Sequence, residues 1–138
     1  MTQPTDGIAY PISNNRLPKV DEHTKKKIHL MLSKAQMVPV MNKTKWSKLI
    51  LAMLGSPKMK PEFRLRSILG RDDYHTGWDR DWHHHIHPVE EIEWIEIRSD
   101  SRDWLMSTLR ANHIPFSAGT DGLRVWGYTK VGELPHWE

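Results

Sequence analysis

Apolar positions along this chain change period several times, and each change marks an element. Trp46, Leu49, Ile50, Met53 and Leu54 recur at helical spacing and form one apolar stripe. Thr44 stands where a cap is expected, Gly55 where a left-handed C-terminal cap is expected, and Pro57 follows. This predicts a helix with Trp46 as its core anchor. Earlier, Asp21 is placed to cap a helix that runs to about Gln36. Ile28, Met31, Leu32 and Ala35 would face inward, with Lys25, Lys26, Lys27 and Lys34 on the other sides. Pro39 bars its continuation.

The period then shortens. Glu62-Phe63-Arg64-Leu65-Arg66-Ser67-Ile68-Leu69 alternates apolar and polar groups, which predicts a half-buried strand with Arg64 and Arg66 on the wet face. Residues 70–77 read as a polar loop around Asp72 and Asp73. Ile92, Trp94, Ile95 and Ile97 suggest another extended run. Apolar groups on both its faces point to a central strand or a bulge. Ser99, Asp100 or Ser101 opens a helix with Trp104, Leu105, Thr108 and Leu109 inward, ending near Asn112. Residues 114–117 and 123–129 flank Gly119-Thr120-Asp121-Gly122, which predicts a hairpin with an Asp-Gly turn.

These elements predict an α+β fold with a mostly antiparallel four-stranded sheet and helices on one face. They form two αββ units, one opened by Trp46 and one by Trp104. Residues 1–40 are expected to be an N-terminal extension, partly flexible, with one short basic helix. Residues 41–138 would be the single domain. Helices on one side leave the other sheet face, or an edge, open to a partner.

The densest candidate chemistry lies in Trp78-Asp79-Arg80-Asp81-Trp82-His83-His84-His85-Ile86-His87-Pro88. As an extended strand it would put Asp79, Asp81, His83, His85 and His87 on one face. Trp78, Trp82, His84 and Ile86 would lie on the other. Histidines two apart on a strand can share one ion, so His83, His85 and His87 are candidate zinc ligands, with Asp79 and Asp81 as ligands or supports. A metal-bound water there would be acidified enough for hydrolysis, which gives a hydrolase or nuclease alternative. No H-E-x-x-H pattern and no Gly-x-Ser-x-Gly elbow accompanies it. A partner surface ranks first, occasional metal binding second and a catalytic centre third.

Charge sharpens that ranking. Residues 1–69 hold 13 Lys and Arg against 4 Asp and Glu, whereas residues 70–138 hold 7 against 13. The basic half offers Lys25, Lys26, Lys27, Lys43, Lys45, Lys48, Arg64 and Arg66 to phosphates, so nucleic-acid binding is a further alternative. The acidic half would repel a phosphate backbone. Cysteine is absent, which removes disulfides, thiolate metal sites and a cysteine nucleophile. No apolar run approaches the ~20 residues of a membrane-spanning helix. The first residues lack the basic and apolar regions of a signal peptide. A cytoplasmic location without a membrane partner is expected.

Asn42-Lys43-Thr44-Lys45-Trp46, the run from 78 to 87, Ile92-Glu93-Trp94-Ile95-Glu96-Ile97 and Arg124-Val125-Trp126-Gly127-Tyr128 together resemble a family of small uncharacterised bacterial proteins. The resemblance covers residues 41–130. It implies a compact cytoplasmic domain, similar in size and style to immunity proteins that neutralise secreted toxins. It carries no catalytic residues with it. The expected function is therefore a non-enzymatic binding module whose protein partner is a cognate toxin. The expected contact residues are Asp72, Asp73, Trp78, Asp79, Asp81, Trp82, His84, Glu90 and Glu91. Trp78 and Trp82 would anchor, and the carboxylates would supply field and register. No cofactor is required by this reading.

Overall fold

A computed structural model describes residues 17–57, 59–70 and 77–138. The elements run α1 (Glu22–Lys34), β1 (Met37–Pro39), α2 (Lys43–Leu54), β2 (Glu62–Ser67), a 3₁₀ turn (Val89–Glu91), β3 (Ile92–Arg98), α3 (Arg102–Ala111), β4 (Ser117–Ala118), β5 (Leu123–Trp126) and β6 (Tyr128–Lys130). The main sheet is antiparallel in the order β2-β3-β5-β4, and β1 pairs with β6 in a second, two-stranded sheet. This is the expected α+β class, with α2-β2-β3 and α3-β4-β5 as its two units.

Local chemistry sets the helix ends. Asp21 accepts from the Thr24 N–H (2.7 Å) and Ser101 from the Trp104 N–H (3.2 Å). The cap of α2 is Asn42, which accepts from the Lys45 N–H (2.8 Å), two residues before the expected Thr44. Gly55 ends α2 with φ −86°, so the left-handed cap is not formed there. Its N–H bonds the Leu51 carbonyl instead, which satisfies that end without a positive φ.

The pairing sorts the strand residues into two faces. Phe63, Ile97 and Leu123 lie directly opposite one another, as do Leu65, Ile95 and Val125. All six are buried and share one core with Trp46, Leu49, Ile50 and Met53 of α2 and Leu105 and Leu109 of α3. Both helices thus close the inner face. β3 lies centrally, and its register slips between Arg66–Trp94 and Ser67–Ile92, leaving Glu93 as the extra residue. That bulge turns both Ile92 and Ile95 inward, which explains the apolar residues on both parities of this strand.

Two expectations change. The predicted strand 123–129 is split at Gly127, where the chain leaves β5 for β6. A Cβ at Gly127 would lie 2.1 Å from the Ile92 carbonyl oxygen, so only glycine lets the two backbones meet. The Gly127 N–H bonds Glu93 O (2.8 Å), and the Val40 N–H bonds Gly127 O (2.9 Å). The β1–β6 pairing therefore crosses the boundary expected at residue 40. The second change concerns residues 78–87, which do not form a strand beyond one bridge between Asp79 and Phe63.

Candidate recognition face

The outer sheet face is built by the alternation that buries the inner one. Across β2, β3 and β5 it presents three rows. Glu62 stands opposite Arg98. Arg64, Glu96 and Arg124 follow, and β4 continues this row with Ser117. Arg66, Trp94 and Trp126 form the third. A bridge sets Trp137 opposite Ser117, and Trp126 donates its indole N–H to the Ser117 hydroxyl (2.9 Å). At the other edge Trp78 lies over two guanidinium groups, 4.0 Å from Arg98 and 4.7 Å from Arg64. Arg124 stacks on Trp94 at 4.0 Å and reaches Trp126 at 5.4 Å. Trp78, Trp94, Trp126 and Trp137 thus gather on one face, interleaved with arginines.

Glu96 holds this face together. Its side chain is fully buried, yet it accepts from Arg64 (3.2 Å), Arg124 (2.9 Å) and the backbone N–H groups of Asp121 (2.9 Å) and Thr120 (3.3 Å). Burial alone would raise its pKa. The Asp121 N–H and the two guanidinium groups outweigh that and hold it below the usual carboxylate value. Gly119 makes room: a Cβ there would lie 2.5 Å from Glu96 Oε1. Around this centre, Arg98 grips both oxygens of Glu62 (3.0 and 3.3 Å), Arg80 adds a contact at 3.3 Å, and Arg64 reaches Asp121 at 3.2 Å. The Arg98 hydrogen bond holds the Glu62 carboxyl below its ordinary range.

The tryptophan- and histidine-rich segment contributes less to this face than alternation implies. Asp79 accepts from the Asp81 N–H (2.7 Å), and Asp81 accepts from the N–H groups of His84 (2.9 Å) and His83 (3.1 Å). These side chains satisfy the backbone locally and fold the segment into a turn rather than a strand. The His84 N–H bond is also the main reason that the Asp81 carboxyl sits below its ordinary pKa. Trp82 and Ile86 consequently enter the core; Trp82 is 1% exposed and donates to the Pro61 carbonyl (2.9 Å). Trp82 therefore anchors the fold and has no outward surface. His83, His84 and His85 are all exposed regardless of parity.

The remaining expected contacts disperse. His85 Nδ1 pairs with Asp79 at 2.7 Å, and His84 Nδ1 lies 3.4 Å from Asp81. Glu91 is buried beneath the Ser67 hydroxyl (3.4 Å), while Glu90 meets Lys43 at 3.6 Å. Tyr128 donates to the Glu90 carbonyl (2.9 Å), and burial pushes its phenol pKa up to about 12. Asp72 and Asp73 lie outside the described residues. His87 lines an open cleft of about 480 Å³ that also touches Arg64, Trp78, Asp79 and His85. Among the described residues no three His, Asp or Glu side chains are grouped to hold a metal ion, so His83, His85 and His87 do not form the expected zinc set. The strand that would have aligned them is a turn.

Residues 28–132 match the model of a protein family. The chain belongs to DUF6678, a family of unknown function. The match begins at Ile28 within α1 and ends just past β6, so it includes Trp78, Trp94, Trp126 and the Arg64–Glu96–Arg124 row but not Trp137. No curated protein and no solved structure matches the chain. Among the described residues no helix is long and apolar enough to cross a membrane.

Sequence reasoning missed Glu96 as a central residue, together with Trp94 and Arg124 as members of the face. The signal was present in three alternating runs, Phe63-Arg64-Leu65, Ile95-Glu96-Ile97 and Leu123-Arg124-Val125. Each places one charged side chain between two core residues. Only the register brings the three charges into line.

Proposed function

We propose that this protein is a binding module and that a protein partner docks on the outer sheet face. The observation that carries this reading is the gathering of Trp78, Trp94, Trp126 and Trp137 among stacked arginines, away from α2 and α3. Tryptophan and arginine dominate interface hot spots, because each offers a large rigid surface that also forms hydrogen bonds. Here they are already ordered by Glu96 and Glu62, so little side-chain freedom is lost on docking. The cleft beside Trp78 gives a protruding partner side chain a place to enter. An immunity-type role, neutralising a bacterial toxin, is the form of this function that the resemblance in size and style suggests.

A photo-crosslinking residue at position 66, on the outer face, tests the site in cells that naturally express the protein. The same residue at position 45, on α2, is the control. One protein is expected to crosslink from position 66 and to be lost in a Trp94→Ala/Trp126→Ala variant. Crosslinking only from position 45 would overturn the proposal. A toxin reading further requires that the captured protein arrest growth when expressed alone and that this chain relieve the arrest.

A further inference from the structure

We infer that the partner meets this face with an acidic patch, whose carboxylates bond the exposed guanidinium groups of Arg66, Arg80 and Arg98. This rests on the reading that the outer face binds protein, and it reverses the charge expected from the acidic half of the sequence. The first reason is exposure. Arg66, Arg80 and Arg98 expose 58, 49 and 40% of their side chains, whereas their partners Glu93 and Glu62 expose 19 and 21%. Glu96 exposes none, and Asp121 exposes 52%. An approaching surface therefore touches mainly guanidinium groups.

The second reason is a surplus of donors. A guanidinium carries five N–H groups and no acceptor. Among the described residues Arg66 meets a carboxylate only through its Nε, 3.8 Å from Glu93, and Arg80 only through one Nη, 3.3 Å from Glu62. Arg98 gives its Nε and one Nη to Glu62. The remaining N–H groups of these exposed side chains are donors for a planar carboxylate. The third reason separates carboxylates from phosphates. Glu62, Glu93, Glu96 and Asp121 already neutralise most of the charge of Arg64, Arg66, Arg80, Arg98 and Arg124. Nucleic-acid affinity draws on uncompensated cations, whereas recognition of a few carboxylates needs only placed donors.

The test is selection of a random peptide display library on the immobilised full chain. Enriched peptides are expected to carry Asp or Glu around an apolar anchor. Binding of one such synthetic peptide should weaken at least ~10-fold in Arg66→Glu and in Arg98→Gln, but not in Lys45→Glu on α2. Circular dichroism would verify that each variant remains folded. Neutral or basic peptides that still depend on Trp94 would overturn the acidic partner while leaving the protein-binding face intact. Peptides indifferent to Trp94→Ala, no enrichment at all, or a single-stranded oligonucleotide that displaces the peptide and itself needs Trp94 would overturn both.

Discussion

The two faces of the main sheet are made by the same three strands, yet they solve opposite problems. Inside, Phe63–Ile97–Leu123 and Leu65–Ile95–Val125 pack in one apolar core with α2 and α3. Outside, Arg64–Glu96–Arg124 and Trp94–Trp126 form a surface held by charge, hydrogen bonds and stacking. The inner face gains stability by removing apolar area from water. The outer face leaves its tryptophans partly wet and its arginines partly exposed. Stability and recognition should therefore be separable by mutation, and tryptophan offers the sharpest contrast because both sides use it.

The largest effect is expected at Trp82. Its ring is buried against Phe63, with centroids 4.5 Å apart, and its N–H is bonded to Pro61. Trp82→Ala should cost about 3–5 kcal/mol in chemical denaturation, from lost burial and the cavity left behind. Trp82→Phe should recover most of this, short of the ~1 kcal/mol hydrogen bond. If Trp82→Ala proved milder than Trp94→Ala, the division between the two faces would be wrong.

Next comes Glu96, an outer-face residue buried like a core residue. Glu96→Gln removes the charge that Arg64 and Arg124 share. The expected cost is about 2–3 kcal/mol, below that of a fully buried pair because both arginines keep some contact with water. Its folded pKa lies below the ordinary glutamate value. Its contribution to stability is thus complete above that value and fades as pH falls through the lower folded pKa. Wild-type protein should lose stability on acidification more steeply than Glu96→Gln. Glu62 has the same sign, so the variant keeps part of the slope. Equal slopes in the two proteins would show that folding does not lower the Glu96 pKa.

Gly119→Ala tests the loop that closes over Glu96. The new methyl would press on Glu96 Oε1, and a cost of about 1–2 kcal/mol is expected as the side chain or the loop shifts. The same shift should loosen Arg124 from Trp94, visible as a change in tryptophan fluorescence. A stable variant with unchanged fluorescence would mean that the loop yields without disturbing the face.

These residues also mark what the sequence makes legible. The stripe of α2 and the alternation of β2 are strong periodic signals, and both elements form where expected. Residues 78–87 look alternating too, but Asp79 and Asp81 offer their carboxylates to nearby backbone N–H groups. That local bonding wins over strand pairing. The strand reading aligned histidines that the turn exposes regardless of parity, and choosing Trp82 as a partner anchor sent a core residue outward. The outer face was illegible for another reason. Its members come from strands far apart in sequence, and only the register brings them into rows. Gly127 hid the sheet switch because nothing local distinguishes it from an ordinary strand glycine.

Trp94→Ala should cost far less than Trp82→Ala, about 1 kcal/mol, because its indole is half-buried and loses mainly the stack with Arg124. Partner binding should nevertheless fall sharply, so the variant would separate the two roles that tryptophan plays here. A cost near that of Trp82→Ala would make Trp94 structural and leave the recognition face without its centre.

The smallest effect on stability is expected at His85, on the wall of the cleft beside Trp78. Its ring is 58% exposed although it lies 2.7 Å from Asp79. An exposed pair of this kind contributes little, since water screens the charges and two side chains lose freedom to meet. His85→Ala should therefore change stability by less than about 0.5 kcal/mol. It should also leave the turn in place, because the turn is held by Asp79 and Asp81 accepting backbone N–H groups, which the substitution does not touch. Thermal denaturation beside an Asp81→Ala variant decides the point. Asp81→Ala removes the acceptor for two backbone donors and should be the more damaging of the two. The reverse order would mean that the histidine clamps the turn, and with it Trp78, and would join this segment to the outer face.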